Sequence, residues 1–329
     1  MPPPLQSDMY AHFRDALTAF FAATATDARR VFHGRGHLFP SLEHICIDWY
    51  PPVVLISLYG EITSPDSLIE SILSADKLQQ IDSIILQKRF EHGAPAETVW
   101  GEKITDILVS EGSLQFRVRL CKQQNSGLFL DMRPLREWIQ QNSRGKNVLN
   151  LFAYTCSLSV AALAGGARQV TNVDMSKTSI NWGLENHKLN QQDPRQIKSI
   201  PHNIFRSWGR IKQFGRYDTI IIDPPTRQRG SFDAEKNYGA VLRKLGQLSK
   251  PGANVIATLN SPFLEGEFLL GKFEHHAPEF KAIEEMPVAP EFSDKFPERA
   301  LKIFRFVYQA EFDAVESKNP LYSGFNDGL

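Results

Sequence analysis

Two patterns of apolar and polar residues divide the chain near residue 125. Before this point, apolar residues at helical spacing predict a largely helical segment over residues 1–40 and a helix over 67–78. Residues 114–120 alternate between apolar and polar side chains, which predicts a half-buried antiparallel strand. Further strand-like runs cover residues 44–49, 53–59, 83–89 and 107–109. The first 125 residues therefore predict a small α+β domain.

After residue 131 the apolar runs are nearly continuous, and they alternate with helix-length segments. These runs cover residues 148–152, 169–173, 217–222 and 254–259. Because strands that are buried on both faces have this pattern, it predicts an α/β domain with a mostly parallel sheet over residues 126–315. The runs at 280–288 and 301–312 have no helix between them, which predicts an antiparallel pair at the sheet edge. Residues 316–329 have the composition of a polar tail.

The composition is that of an ordinary globular protein, with 42% hydrophobic and 22% charged residues. Lys and Arg together number 37, as do Asp and Glu, so any contact with nucleic acid must depend on a local basic patch. The three cysteines form no C-x-x-C pair, which disfavours a disulfide framework and a metal site. With no signal peptide and no apolar run of roughly 20 residues, we expect a cytoplasmic protein without a membrane segment.

Candidate ligand-binding residues follow the first two strands of the predicted parallel sheet. A turn of small residues at 153–157 follows the first strand, and Asp174 follows the second. Ligands of doubly wound sheets bind beyond these strand ends, where an acidic side chain can accept hydrogen bonds from both ribose hydroxyls of an adenosine-type cofactor. Asp174 would take that role and Met175 would flank the adenine, although a lone acid here is also explained as a helix cap.

A third motif follows the strand at 217–222 and consists of Asp223, Pro224, Pro225 and Thr226. The two prolines fix φ and remove two N–H donors, so the carbonyl oxygens remain as acceptors that can hold a planar base. Taken alone, this motif is explained as an ordinary turn. The order and spacing of the three motifs favour a nucleotide-type cofactor site. Because no full G-x-G-x-x-G follows the first strand, a dinucleotide-dependent oxidoreductase is disfavoured.

These motifs resemble those of bacterial large-subunit ribosomal RNA methyltransferases. The matching segments are residues 126–133, 150–155, 173–176, 185–190 and 223–226. The likeness is to the guanine-N7-methylating half of the fused K/L enzyme and, more distantly, to the cytosine-C5 I-type enzymes. It is strong over residues 127–261 and weaker over 44–120. The resemblance implies a Rossmann-like class I methyltransferase sheet, S-adenosylmethionine as cofactor, and a preceding domain that contributes to substrate binding.

The resemblance also implies a role for each matching residue. Asp174 would hold the ribose, and Asp131 and Arg133 would close the pocket, with Arg133 near the methionine carboxylate. Around the methionine moiety would lie Phe152, Ala153, Tyr154, Thr155 and Ser157. Asn203 and Ile204 would border the adenine, while Asp223, Pro224, Pro225 and Thr226 would face the target base.

Two positions depart from the family pattern. Cys156 stands where the family usually has Gly, and Asn203 where it usually has Asp. The first adds a side chain near the cofactor, and the second weakens a contact to the adenine amino group. Both leave open a reduced cofactor affinity or a degenerate site.

The choice of substrate depends on cysteine chemistry, because methylation of cytosine C5 requires a thiolate that adds to the ring. Residues 258–262, after the last parallel strand, contain no cysteine, and Cys156 is interpreted as a small packing residue. A base nitrogen in RNA is therefore favoured, with guanine first. A protein or small-molecule methyltransferase, and a non-catalytic RNA-binding assembly factor, remain alternatives.

A group of arginines lies close in sequence to the ends of the predicted strands. Its members are Arg206, Arg210, Arg227 and Arg229, which we call the phosphate track. Basic side chains near an aromatic residue, here Trp208, are suited to RNA. A solvated helix face explains the same residues equally well.

Overall fold

The computed structural model describes residues 11–228 and 232–309. The helices are α1 (Ala11–Phe21), α2 (Pro65–Ala75), α3 (Arg133–Asn142), α4 (Ser157–Ala164), α5 (Lys177–Leu189), α6 (Trp208–Phe214), α7 (Ala234–Leu242), α8 (Leu245–Leu248) and α9 (Gly266–His276). The predicted tail at 316–329 lies outside the described residues. Within the described ranges, no helix is long and apolar enough to cross a membrane.

A five-stranded sheet forms the first part of the molecule. Its strands, in spatial order, are β1 (Arg29–His33), β2 (Ile45–Tyr50), β3 (Val53–Leu58), β4 (Ser83–Lys88) and β5 (Ala96–Gly101). Only the β3–β4 pair is parallel. Apolar side chains of α1 and α2 pack on this sheet, as the predicted α+β pattern requires. The helical prediction over residues 1–40 is confirmed at α1 and wrong at 29–33, where Arg30 of β1 bonds to Asp48 of β2 across the two strands, while residues 1–10 lie outside the described residues.

A seven-stranded sheet forms the second part, and it confirms the predicted Rossmann-like α/β fold. The remaining strands are β6 (Asp106–Glu111), β7 (Leu114–Arg119), β8 (Asn147–Leu151), β9 (Gln169–Val173), β10 (Ile197–Ile200), β11 (Tyr217–Ile222), β12 (Arg227–Gln228), β13 (Phe232–Asp233), β14 (Ser249–Leu259), β15 (Phe280–Glu285) and β16 (Lys302–Tyr308). The sheet order is β10-β9-β8-β11-β14-β16-β15. The first five strands in this order, β10, β9, β8, β11 and β14, are parallel to one another. β16 is antiparallel to both β14 and β15, which confirms the antiparallel pair at the edge.

The hairpin of β6 and β7 packs against α5 rather than extending the first sheet. The Trp182 indole N–H donates to the Arg117 carbonyl at 2.9 Å, and the Arg117 N–H donates to Asn186 Oδ1 at 2.9 Å. One continuous apolar cluster includes Val53 of the first sheet, Phe116 of the hairpin and Val148 of the second sheet. Packed contacts thus join residues on the two sides of position 125. The division of the chain into domains at residues 125 and 126 stays a prediction.

A buried ion pair joins the hairpin to α3. Arg136 donates to both carboxylate oxygens of Glu111, at 2.6 and 2.5 Å, and its Nη1 donates to the Phe129 carbonyl at 2.9 Å. Both side chains are buried. Since the two charges satisfy each other out of water, removal of one partner leaves the other without compensation.

Replacement of Arg136 alone is therefore expected to be strongly destabilising. We expect Arg136→Met to lower the free energy of unfolding by about 3–5 kcal/mol, and Glu111→Leu/Arg136→Met to cost less than Arg136→Met. Chemical denaturation measures both values. The control is Arg195→Met, because Arg195 pairs with Asp193 at an exposed position and should show no measurable change. An equal cost for Arg136→Met and Arg195→Met would contradict this account.

Candidate functional site

A cavity of about 620 Å³, here called the first cavity, opens where the parallel strands end. This volume is in the range of small-molecule and cofactor sites. The predicted site residues that line it are Asp131, Phe152, Tyr154, Asp174, Met175, Asn203, Ile204, Asp223, Pro224, Pro225, Thr226 and Arg227. Most of them meet because the carboxyl ends of parallel strands lie at one edge of a sheet, whereas Asp131 comes from the segment before α3.

The loop after β8 has an unusual backbone. Phe152, Tyr154 and Cys156 have positive φ angles of 61°, 46° and 60°. A left-handed conformation costs a residue other than glycine about 1–2 kcal/mol, so this loop depends on contacts that hold it. The Tyr154 N–H donates to Asp174 Oδ2 at 2.9 Å, and the Ala153 N–H donates to the Val173 carbonyl at 3.0 Å. The loop is thereby fixed against the end of β9.

Asp174 lies at the wall of the first cavity between this loop and α5. Its Oδ1 accepts a hydrogen bond from the Ser176 N–H at 2.8 Å. Burial raises the pKa of Asp174, and the hydrogen bonds from Ser176 and Tyr154 act in the opposite direction. Each carboxylate oxygen has two lone pairs, so the side chain can accept further hydrogen bonds from a ligand.

Three other side chains present groups that suit an adenosine-type ligand. The Tyr154 hydroxyl is buried and has no hydrogen-bond partner in the described part of the chain. Met175 is 45% exposed at the cavity wall, where a flat apolar ring can pack on it. Asn203 Oδ1 accepts from the Phe205 N–H at 2.8 Å, which leaves its NH₂ group as the donor.

The turn after β11 closes the opposite side of the first cavity. The Thr258 hydroxyl donates to Asp223 Oδ1 at 2.5 Å, and the Thr226 hydroxyl donates to the Asn260 carbonyl. The pKa of Asp223 is raised to about 6, because burial raises it more than the hydrogen bond from Thr258 lowers it, and the Asp131 carboxylate adds to the rise. A ligand group that offsets the cost of burying the charged Asp223 carboxylate would have to be positively charged or a strong hydrogen-bond donor.

Other predicted cofactor residues contact the protein rather than this cavity. The Thr155 hydroxyl is buried and donates to the Gly127 carbonyl at 2.6 Å. Arg133 donates to Glu291 at 2.9 and 3.2 Å. Neither of these residues lines the first cavity, nor do Ala153 and Ser157. Their contacts with a cofactor stay predictions.

The structure describes three of the four members of the phosphate track. Arg206 and Arg210 are exposed at the segment Ile204–Arg206 and on α6. Arg227 is exposed at the wall of the first cavity, and Arg229 lies outside the described residues. The phosphate track stays a prediction.

Cys156 precedes α4 in a left-handed conformation, with φ 60° and ψ 22°. This is the backbone region that favours glycine. The thiol is buried against α5, where a Cβ on Gly183 would lie 2.3 Å from Cys156 Sγ. Burial raises the pKa of this thiol, and Asp174 raises it further. The side chain is therefore a neutral packing group.

Sequence reasoning missed several residues that line the first cavity. They are Gln124, Asn125, Phe129, Met132, Val173, Ser176, Ser179, His202, Phe232 and Asn260. Asn260 directly follows β14, so the rule that ligands lie beyond parallel strand ends could have found it. Gln124 and Asn125 belong to a connecting segment whose sequence has no periodicity. Within the described ranges, no group of three or more His, Cys, Asp or Glu side chains could hold a metal ion.

This chain is similar to proteins of one known family. The family model of S-adenosylmethionine-dependent methyltransferases matches residues 29–307. Ribosomal RNA large subunit methyltransferase K/L of Shewanella frigidimarina is 33% identical over 232 residues, which are 66% of this chain and 32% of that protein. The protein of the same name from Shewanella pealeana is 38% identical over 232 residues, with the same shares covered. The chain thus spans about a third of the length of these relatives.

Solved structures show the same fold. A crystal structure assigned as a methyltransferase in complex with S-adenosylhomocysteine has a TM-score of 0.79 at 24% identity, covering 91% of this chain and 80% of that chain. The S-adenosylmethionine-dependent methyltransferase of Agrobacterium tumefaciens has a TM-score of 0.63 at 20% identity, covering 87% and 91%. The family model covers most of the chain, including both sheets. The chain therefore belongs to the S-adenosylmethionine-dependent methyltransferase family and is an enzyme that uses S-adenosylmethionine as its cofactor.

Proposed function

We propose that this enzyme methylates a base nitrogen in structured RNA, with guanine favoured and ribosomal RNA as the source. The name shared by the relatives from both Shewanella species supports an RNA substrate. The proposal places the protein in the cytoplasm, where ribosomal RNA is found in bacteria. Its catalytic turn would be Asp223 to Thr226, at the wall of the first cavity.

The burial and the positions of the three cysteines support a nitrogen atom as the methylated atom. Attack on cytosine C6 requires a thiolate next to the base. Cys46 and Cys156 are buried, Cys121 is partly buried, and none of the three lines the first cavity. Burial raises the pKa of both the Cys121 and Cys156 thiols. A ring nitrogen with a free lone pair needs no such thiolate.

The first cavity fits the cofactor by its chemistry as well as its volume. Asp174 offers acceptors for the ribose hydroxyls, and the unpartnered Tyr154 hydroxyl offers a donor for a polar ligand atom. When bound, S-adenosylmethionine supplies a methyl group activated by a positively charged sulfur. The raised pKa of Asp223 indicates a carboxylate that would gain most from a nearby positive charge.

The protein's own contribution to the reaction would be alignment. Pro224 and Pro225 have no N–H groups, so this turn offers a target base carbonyl acceptors held by a stiff backbone. Guanine N7 has no proton to lose, so no general base is required there. Correct placement of the nucleophile and the methyl group can supply several kcal/mol of the barrier reduction. Arg227, with the other residues of the phosphate track, would guide the RNA backbone.

Nucleoside analysis tests the substrate directly. We expect ribosomal RNA from a strain lacking the gene to lose one methylated nucleoside, and the purified enzyme with S-adenosylmethionine to restore it. Mass spectrometry of digested RNA measures this. The control is Asp174→Ala, which loses the ribose acceptor and about 1.5–3 kcal/mol of cofactor binding. Methyl transfer to a protein or a small molecule, with none to RNA, would instead support the alternative substrates.

The protonation of Asp223 predicts a pH dependence. With a pKa of about 6 in the free protein, its side chain is mostly neutral at pH 5 and ionised at pH 8. If the ionised form faces the sulfonium, S-adenosylmethionine should bind about tenfold more weakly at pH 5 than at pH 8. Calorimetric titration measures the affinity. S-adenosylhomocysteine, which lacks the charge on sulfur, should show a smaller change, and Asp223→Asn should remove the difference between the two ligands. The same pH dependence in Asp223→Asn would place the effect elsewhere, Asp131 being the nearest other candidate.

The thiol of Cys156 is expected to be dispensable. Cys156→Gly relieves a left-handed conformation that costs about 1–2 kcal/mol but removes a buried side chain, so the stability should change little. We expect methyl transfer to be retained or improved, as measured by kcat/KM. Cys156→Val is the matched contrast, because a β-branched residue at positive φ is strained and should destabilise the fold. Loss of activity in Cys156→Gly, together with a covalent RNA adduct trapped in the wild type, would contradict the nitrogen assignment.

A further inference from the structure

A second cavity of about 390 Å³ adjoins the first cavity. The two cavities share five lining residues, which are Gln124, Asn125, Phe129, Asp131 and Asn260. Its other walls come from strands β1 to β4 of the first sheet, from the loops after β1, β3 and β4, and from the segments before β16. A molecule in the second cavity is therefore next to the catalytic turn.

Three strands of the first sheet end at the second cavity. β1 and β3 are each antiparallel to β2, and β3 is parallel to β4, so β1, β3 and β4 run in the same direction. Arg35, Tyr59 and Arg89 follow these strands and line the cavity. The Arg35 and Arg89 guanidinium carbons lie 4.2 and 5.5 Å from the centroid of the Tyr59 ring. The two cations thus share one aromatic platform.

The charges of Arg35 and Arg89 are not compensated. Arg30, in the same cavity, is paired with Asp48 at 2.5 Å, and Arg299 lies 3.8 Å from Glu298. In the described part of the chain, no carboxylate lies within 4.0 Å of either Arg35 or Arg89. Arg89 Nε is buried and has no acceptor among the described residues. An unpaired guanidinium in a cavity is suited to the oxygens of an anion.

The acidic residues that line the second cavity do not pair with Arg35 or Arg89. Asp48 is neutralised by Arg30, and Asp294 accepts a hydrogen bond from the Phe296 N–H at 2.8 Å. Asp131 lies at the junction with the first cavity, where burial raises its pKa. The unpaired positive charges of Arg35 and Arg89 therefore lie at the ends of β1 and β4, and Asp131 lies at the junction with the first cavity.

Contacts between distant segments fix the walls. The Lys295 N–H donates to the Gly36 carbonyl at 2.7 Å. A Cβ on Gly36 would lie 2.1 Å from the Ser293 carbonyl oxygen, so this approach requires glycine. Arg89 Nη1 donates to the Gln124 carbonyl at 2.6 Å. This hydrogen bond connects Arg89 to the segment that lines both cavities.

We propose that the second cavity binds the RNA strand that carries the target base, with Arg35 and Arg89 holding a backbone phosphate. The inference rests on the proposed function and names a binding site distinct from the phosphate track. Planar guanidinium groups match phosphate oxygens in pairs. Phe129, which is 40% exposed and lines both cavities, offers a base-stacking surface between the phosphate and the catalytic turn. These features together fit a nucleotide better than an acidic peptide, which has no flat base.

The variant Arg35→Gln/Arg89→Gln tests the site. We expect its affinity for a mixed-sequence single-stranded RNA of about 20 nucleotides to fall roughly ten- to a hundredfold at low salt, since charge-assisted bonds are lost. The log–log salt dependence should become shallower by about 0.7 for each phosphate contact removed. The KM for ribosomal RNA from the deletion strain should rise. Binding of S-adenosylhomocysteine should stay the same, which also shows that the variant is folded.

Two further variants sharpen the result. Arg144→Gln/Lys188→Gln removes the same charge from exposed residues that line neither cavity, and it should leave RNA affinity nearly unchanged. Arg35→Lys/Arg89→Lys keeps the charge but not the planar fork, and it should restore the salt dependence with only part of the affinity.

The failures of the two proposals are distinguishable. If the wild type methylates ribosomal RNA while Arg35→Gln/Arg89→Gln keeps the KM and salt dependence of the wild type, the second cavity does not bind the substrate strand and the proposed function stands. An equal loss in Arg144→Gln/Lys188→Gln would also overturn the site, since the effect would be one of net charge. If the wild type neither binds nor methylates RNA, the proposed function fails and this site fails with it.

Discussion

The carboxylate of Asp174 holds two strand ends in one arrangement, and the shape of the first cavity depends on it. One oxygen accepts the N–H of Tyr154, in a loop where three residues have positive φ, and the other accepts the N–H of Ser176 before α5. Left-handed residues other than glycine persist only where the surroundings fix them. The same side chain therefore holds a strained loop, fixes the backbone of the residue that caps α5 and offers acceptors to a ligand.

The parallel sheet could be predicted from the sequence because its central strands are buried on both faces. β9 and β11 have the predicted bounds, and nearly all of their residues are buried between the two faces of the sheet. β5 and β10 were missed because they are edge strands with partly exposed side chains. β1 was missed because Arg30 is half-buried through its pairing with Asp48, and no local pattern reveals a partner from another strand.

The candidate site also contains residues that could be predicted from the sequence and residues that could not. Residues that directly follow parallel strands, such as Asp174 and Asp223, could be placed from the sequence because topology brings strand ends together. Arg133 was expected near the cofactor, yet it contacts Glu291, which is 158 residues away. The connecting segment with Gln124 and Phe129 lines both cavities through tertiary packing. Contacts of this kind depend on the folded chain as a whole and leave no local signature.

The apolar cluster that runs from the first sheet through the hairpin into the second sheet has a consequence for recognition. Close-packed interiors resist deformation, so the distance between the walls of the two cavities is set by packing. The contact between Gly36 and Lys295 holds the outer wall to the first sheet in the same way. A preorganised cleft avoids much of the entropic cost of ordering its walls on binding. Selection among RNA segments would then depend on whether the RNA can present its base to a fixed opening, so the deformability of the RNA, more than that of the protein, would decide which nucleotide reacts.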